Sequence, residues 1–399
     1  MKEQNKIVHV LVILIFMLFM TIGGLVTVIK PKETYSYFEN RSLQQRPVLE
    51  KNGFLEGQYF QDLESYLADH TALRTTLLKI ETLVDLHLLK RPVVNDVVVR
   101  DDVLLPKLRH TFFDADSLEK EVIEFTGRLA EFDAVVRAYG GTFYYVGVPC
   151  QYAYFEDRYP WYLENRADYT ATVLSAFTRE MVSQGVNFID MGHIMESMGK
   201  PQYFGSLVDN HYGLEGAFST YKEIVMRINE QTQHELVFPS DEDIVFVDLP
   251  NTYIGSRERK LLNLYGFDEP LKVASFKDPI AFTRMDNGLE TSPAVYYMPS
   301  SEFEPVLYGL YMGGDIAETV IKTNRPELPS VLIYGDSFTN AVEVLAYYSF
   351  DEMRTIDLRH YNEMTLAAYV KLYKPDIVIG IRDYEAIILK EGNGNILEN

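Results

Sequence analysis

Hydrophobic positions along the chain fall into three regimes. In the first, Ile7 to Ile29 reads IVHVLVILIFMLFMTIGGLVTVI, with His9 its only ionisable residue. As a helix this stretch spans roughly 34 Å, enough to cross the hydrocarbon of a bilayer. No A-x-A-like cleavage site follows it, which favours an uncleaved signal-anchor over a removed signal peptide. Lys2 and Lys6 before the segment balance Lys30 and Lys32 after it, so basic residues alone leave its orientation open. A lone N-terminal anchor of this kind puts the rest of the chain outside the cytoplasm.

The second regime begins with a polar stalk at 30–52, punctuated by Pro31 and Pro47, and continues into helical spacing. Phe54, Tyr59, Phe60, Leu63, Tyr66 and Leu67 recur at steps of three and four, and a second helix is expected over Leu73 to Leu89, with Thr71 its expected cap. Pro92 ends it. From about Leu104 the pattern alternates between strand and helix. Helices are expected at Leu118–Tyr139, Ala167–Gln184, Leu214–Ile228, from Phe338, and at Tyr361–Tyr373. Strands are expected at Phe143–Val148, Val186–Ile189, Val331–Tyr334, Arg354–Leu358 and Ile377–Ile381. Such alternation predicts an α/β fold with a doubly wound parallel sheet covered on both faces. The division expected is an anchor at 1–29, a stalk and helical segment at 30–103, and an α/β domain at 104–399. Residues 235–325 read as a loop-rich insertion with short strands such as Asp243–Val247.

A chain of 399 residues with 47% hydrophobic content can bury a large core. Its formal net charge of −21 repels phosphate backbones, which argues against nucleic acid as a partner. With one cysteine, Cys150, no internal disulfide can form, and Cys/His metal spacings are absent. No cofactor or metal is expected. The 28 tyrosines suit either sheet and core positions or a surface that meets sugars.

In an open parallel sheet, sites form at the carboxyl ends of strands. The apolar run Val331–Tyr334 empties into Gly335-Asp336-Ser337-Phe338. Gly335 permits a sharp turn, and Ser337 stands near a helix start, where free N–H groups favour an oxyanion. The G-x-S-x-G elbow of other hydrolases is not present. A serine nucleophile needs a base that is itself held by a third group. Asp209-Asn210-His211-Tyr212 supplies one, because residues i and i+2 of an extended segment project to the same side. Ser337, His211 and Asp209 are therefore the candidate catalytic residues. Competing spacings are Asp190/His193, Asp357/His360 and Asp85/His87, the last within an expected helix.

These motifs in this order resemble the DHHW family and the related alginate O-acetyltransferase family, SGNH-hydrolase-like folds in which the D-x-H precedes the serine motif. The likeness also takes in Glu39-Asn40-Arg41, Asp69 to Arg74, Val148-Pro149, Asp209 to Ala217 and Lys374-Pro375-Asp376. The D-H-H-W signature reads Asp209-Asn210-His211-Tyr212 here, so both neighbours of the acid–base pair differ. The resemblance implies serine-dependent acetyl transfer to hydroxyls of an exported or cell-surface polysaccharide, with a membrane-bound O-acyltransferase as partner. The protein would then be a single-pass membrane protein with its catalytic domain outside the cytoplasm. The Ser337 N–H is the expected oxyanion donor, with a second from Gly313-Gly314 or Asn340. An acetyl esterase with the same triad and a non-catalytic polysaccharide-binding scaffold are the other two readings. Nothing after Ile381 reads as a carbohydrate-binding module, so polymer binding is expected to fall to the catalytic domain or a partner.

Overall fold

The computed structural model describes residues 2–30, 32–39, 41–110, 112–389, 396 and 397. It divides into two compact units, 1–95 with 259–266, and 96–258 with 267–399. Within the expected 235–325 insertion, residues 259–266 thus belong with the N-terminal unit.

In the first unit, helix α1 (Lys2–Ile29) contains the apolar stretch Val8–Thr27, long and apolar enough to cross a membrane. Helices α2 (Gln58–His70) and α3 (Arg74–Leu83) follow. Thr71 does not cap α3. Its hydroxyl donates back to the Leu67 carbonyl, and Leu73, in a left-handed conformation, precedes the helix instead. The charged motifs meet here. Arg41 forks onto Asp69 at 2.5 and 3.0 Å, and Arg74 forks onto Glu39 at 2.7 and 2.9 Å. Pro31 and Asn40 lie outside the described residues.

The second unit is built on an eight-stranded sheet. Its strands are β1 (Thr142–Val148), β2 (Asn187–Asp190), β3 (Thr283–Asp286), β4 (Leu289–Thr291), β5 (Glu318–Lys322), β6 (Val331–Gly335), β7 (Glu352–Asp357) and β8 (Ile377–Asp383), in spatial order β4-β3-β5-β7-β6-β8-β1-β2. The five strands from β7 to β2 run parallel, as expected of βαβ units. The unit's helices include α4 (Ala115–Ala138), α5 (Ala167–Gln184), α6 (Leu214–Gln231), α7 (Asn340–Ala346) and α8 (Leu366–Tyr373). Phe143, Tyr145, Leu332, Tyr334 and Val378 face one side, packed against α4, α5 and α8. Their alternating neighbours Tyr144, Val146, Val331, Ile333 and Ile379 are as fully buried on the other side, so the sheet is covered on both faces.

The segment read as a loop-rich insertion holds more regular structure than expected. It adds β3, β4 and β5, antiparallel, to the edge of the main sheet. The β3–β4 hairpin turns on Asn287-Gly288, both at positive φ, a two-residue turn whose twist matches the strands. That Asn-Gly pair is a legible hairpin signal which the short, weakly alternating flanks obscure.

Candidate active site

The parallel strands deliver two segments to the carboxyl edge of the sheet. Strand β6 ends at Gly335, whose φ is not positive. The requirement for glycine there is space, since a Cβ would lie 2.3 Å from the Ile381 carbonyl oxygen and 2.7 Å from Thr339 Cγ2. The turn that follows is closed by Asp336, whose carboxylate accepts from the Phe338 N–H at 2.9 Å and pairs with Arg382 Nη1 at 2.8 Å. Ser337 sits inside this turn, and α7 begins three residues later.

The second segment, Ser206 to Tyr212, lacks regular structure and is held by side chains and backbone N–H groups from distant parts of the chain, among them the Leu104 N–H on the Leu207 carbonyl and the Arg257 N–H on the Val208 carbonyl. Gln151, just past β1, donates to the Ser206 carbonyl at 3.0 Å, and its own N–H donates to the Asn210 carbonyl at 3.1 Å. Glu269 accepts from Ser206 Oγ and from the Leu207 and Val208 N–H groups at 2.9–3.1 Å. Gly255 approaches so closely that a Cβ would lie 2.3 Å from the Val208 carbonyl oxygen. That approach aims the Ser256 N–H at Asp209 Oδ2, 2.6 Å away.

So fixed, the loop meets the serine turn. His211 Nε2 lies 2.8 Å from Ser337 Oγ, across 126 positions of sequence, and His211 Nδ1 lies 2.5 Å from Asp209 Oδ1. Asp209 Oδ1 also accepts from the His211 N–H at 3.1 Å. Burial opposes ionisation of Asp209. The attraction of His211 and the hydrogen bonds from His211 and Ser256 outweigh it, holding this carboxyl well below the usual range. The imidazole is clamped against Tyr308, with ring centroids 3.7 Å apart and planes within 3°. Tyr212 Oη donates to the Phe338 carbonyl at 2.6 Å, tying the histidine loop to the residue after Ser337.

The acids and histidines of the competing pairs make other contacts. Asp190 caps the short helix Met191–Ser197 through the His193 N–H. Asp357 is gripped by Arg359, while His360 approaches Asp315 at 3.9 Å. His87 lies on a π-helical turn with its ring near the Leu264 carbonyl. Of the proposed second oxyanion donors, the Gly314 N–H is already given to the Tyr311 carbonyl at 3.1 Å, leaving Gly313 and Asn340. The Asn340 side-chain amide reaches Gly314 O at 3.4 Å, which brings the two candidates together.

Sequence reasoning did not find Ser256, Gln151, Glu269, Tyr308 or Arg382. Each acts on the site from a distant part of the chain, and none carries a local motif. The one available signal is Gly255-Ser256, a small-residue pair in a segment with no periodicity.

No family model matches this sequence, and no curated protein matches it significantly. Solved structures do. Bacillus cereus PatB1 with a sulfonyl adduct superposes with a TM-score of 0.60 at 19% identity, covering 73% of this chain and 94% of that one. A DHHW family protein from Eubacterium siraeum superposes with a TM-score of 0.56 at 16% identity, covering 77% of this chain and 97% of that one. At such low identity the likeness is one of architecture, and the chain has the SGNH-type α/β fold of the DHHW family protein and PatB1.

Proposed function

We propose that the protein is a membrane-anchored serine O-acyltransferase that acetylates hydroxyls of an exported or cell-surface polysaccharide, with Ser337 as nucleophile, His211 as base and Asp209 as its orienting acid. The observation that carries this reading is the contact of His211 Nε2 with Ser337 Oγ at 2.8 Å, backed by Asp209 on the other ring nitrogen. In the first half-reaction Ser337 Oγ attacks the acetyl carbonyl carbon while its proton passes to His211 Nε2. The bond to the donor's leaving group breaks, and the imidazolium returns that proton to the leaving group. In the second, a sugar hydroxyl gives its proton to His211 and attacks the acetyl-serine. The new ester leaves, and Ser337 recovers its proton. In this reading the Ser337 N–H, with Asn340 or Gly313, would hold both oxyanions.

The acetyl group, rather than a longer acyl chain, and the polysaccharide acceptor come from the motif resemblance, which also implies a membrane-bound O-acyltransferase as donor partner. The helix Val8–Thr27 supports a single-pass anchor with the catalytic unit outside the cytoplasm. In this reading the α/β region after the stalk is one catalytic domain. Incubation with a chromogenic acetyl ester, with and without oligosaccharide, is the test. Acetylated sugar supports transfer, and free acetate alone makes the protein an esterase. Ser337→Ala should abolish turnover and labelling by a sulfonyl fluoride. Unchanged polymer acetylation in cells carrying that variant would instead make the protein a scaffold.

A further inference from the structure

The imidazole of His211 has two kinds of neighbour. In its own plane, Asp209 and Ser337 bond to the two ring nitrogens. Over its face lies the phenol ring of Tyr308, with centroids 3.7 Å apart and planes within 3°. Parallel rings cannot approach closer than van der Waals contact, so that separation leaves little sideways offset. Two neutral aromatic rings disfavour such a sandwich, because their negative faces oppose each other. Tyr308 meets Tyr311 in the arrangement that neutral rings prefer, edge-on at 5.1 Å and 85°.

The balance reverses once the imidazole is charged. When Ser337 Oγ or a sugar hydroxyl gives its proton to Nε2, the ring becomes an imidazolium. A cation over an aromatic face, within about 6 Å of its centroid, is attracted by the ring quadrupole, most strongly where water is excluded. His211 and Tyr308 are both buried, each 8% exposed. The stack is therefore stronger in the transition state than in the resting enzyme, and only contacts of that kind accelerate the chemical step.

Two further observations set Tyr308 apart from ordinary packing. Its hydroxyl is buried and finds no hydrogen-bond partner among the described residues, so what it offers the site is the face of its ring. The segment that fixes Asp209 also fixes Tyr308. The Ile254 N–H donates to the Val306 carbonyl, and the Val306 N–H to the Thr252 carbonyl, both at 2.9 Å and two residues before Tyr308. Two residues beyond Ile254, the Ser256 N–H holds Asp209 Oδ2. One stretch, 252–256, thus sets the acid at the edge of the imidazole and the phenol over its face.

We propose that Tyr308 is a positioning residue for the transfer reaction, whose aromatic face stabilises the imidazolium of His211 and keeps Nε2 directed at Ser337. The inference rests on the reading of Ser337 as nucleophile and His211 as base.

The test replaces Tyr308, in the detergent-solubilised full chain, with phenylalanine and with its mono-, di- and trifluorinated analogues. Fluorine withdraws electron density from the face and leaves the shape of the ring almost unchanged. Hydrolysis of a chromogenic acetyl ester gives kcat and KM, counted per serine titrated by a sulfonyl fluoride. Tyr308→Phe should keep kcat within about threefold of wild type, and each added fluorine should lower it, to about a tenfold loss in the trifluorinated form. KM and Tm should stay level through the series. Tyr308→Leu, which removes the face altogether, should lose about 30-fold in kcat. A kcat indifferent to fluorination, or one that falls only in step with Tm, reduces Tyr308 to packing and overturns the proposal while the nucleophile assignment stands. Ester hydrolysis that survives Ser337→Ala overturns that assignment itself, and the proposal with it.

Discussion

Asp209→Asn tests the chemistry most directly, because the structure leaves the amide no good orientation. Asp209 accepts three hydrogen bonds, two from His211 on Oδ1 and one from the Ser256 N–H on Oδ2. An asparagine has one acceptor oxygen and an NH₂ group that can only donate. With the oxygen toward His211, the NH₂ faces the Ser256 N–H at 2.6 Å, two donors opposed in a buried site. With the oxygen toward Ser256, the NH₂ faces Nδ1 and forces the imidazole to carry its proton on Nε2. In that tautomer Nε2 cannot take the Ser337 proton. The second arrangement also turns the NH₂ toward the His211 backbone N–H, which donates to this position at 3.1 Å, and it removes the function of the base. The expected loss is about 10⁴-fold in kcat, or roughly 5 kcal/mol of transition-state stabilisation. The KM for a small ester should change little. The assay is steady-state hydrolysis of a chromogenic acetyl ester, with circular dichroism to verify folding. A folded Asp209→Asn variant within tenfold of wild-type kcat would refute the assigned role of the carboxylate.

Other consequences can be measured alongside it. Gly255→Ala should lower both Tm and kcat, by about 1–3 kcal/mol in stability, because its Cβ collides with the backbone carbonyl of Val208 beside Asp209; an unchanged Tm would mean that this approach is not required. Tyr212→Phe strands the buried Phe338 carbonyl and should cost about 1–3 kcal/mol in thermal unfolding while lowering kcat more than it raises KM; a loss of Tm with kinetics intact would reduce Tyr212 to a packing role. Burial pushes Glu269 and Glu343 up to about 7, outweighing the hydrogen bonds each accepts. The folded state then holds protons between about pH 4.5 and 7 that the unfolded chain has released, so stability should fall as pH rises through that window, by at most roughly 3 kcal/mol for each group. Glu269→Gln should flatten that slope in thermal unfolding scans from pH 5 to 8, and an unaltered slope would refute the assignment. Deleting residues 1–29 should move the protein from the membrane to the soluble fraction, and persistence in the membrane would assign anchoring to another segment.

How far the sequence could be read depended on how local each feature's cause was. Strand β6 and its Gly335-Asp336-Ser337 turn were legible because an apolar run ending in Gly-Asp is a property of neighbouring residues. Helix α8 was expected from Tyr361 but starts at Leu366, since the Thr365 hydroxyl accepts from the Ala368 N–H and fixes the true start. The antiparallel extension of the sheet was missed for a related reason. Strands β3 to β5 are short, and only pairing with β7 and with each other gives them their hydrogen bonds.

By itself, the sequence determined the apolar N-terminal helix, the strand–helix alternation, and the residue types able to attack, to accept a proton and to orient. Periodicity and turn chemistry are set within a few residues, so they survive without coordinates. Motif and resemblance favoured His211 over the competing pairs Asp190/His193 and Asp357/His360, and the tertiary structure brings His211 within 2.8 Å of Ser337 Oγ. Tertiary structure alone decided what holds that histidine. Gln151, Ser256, Glu269 and Tyr308 reach the loop from distant segments, and contacts of that kind exist only once the sheet has brought those segments to one edge.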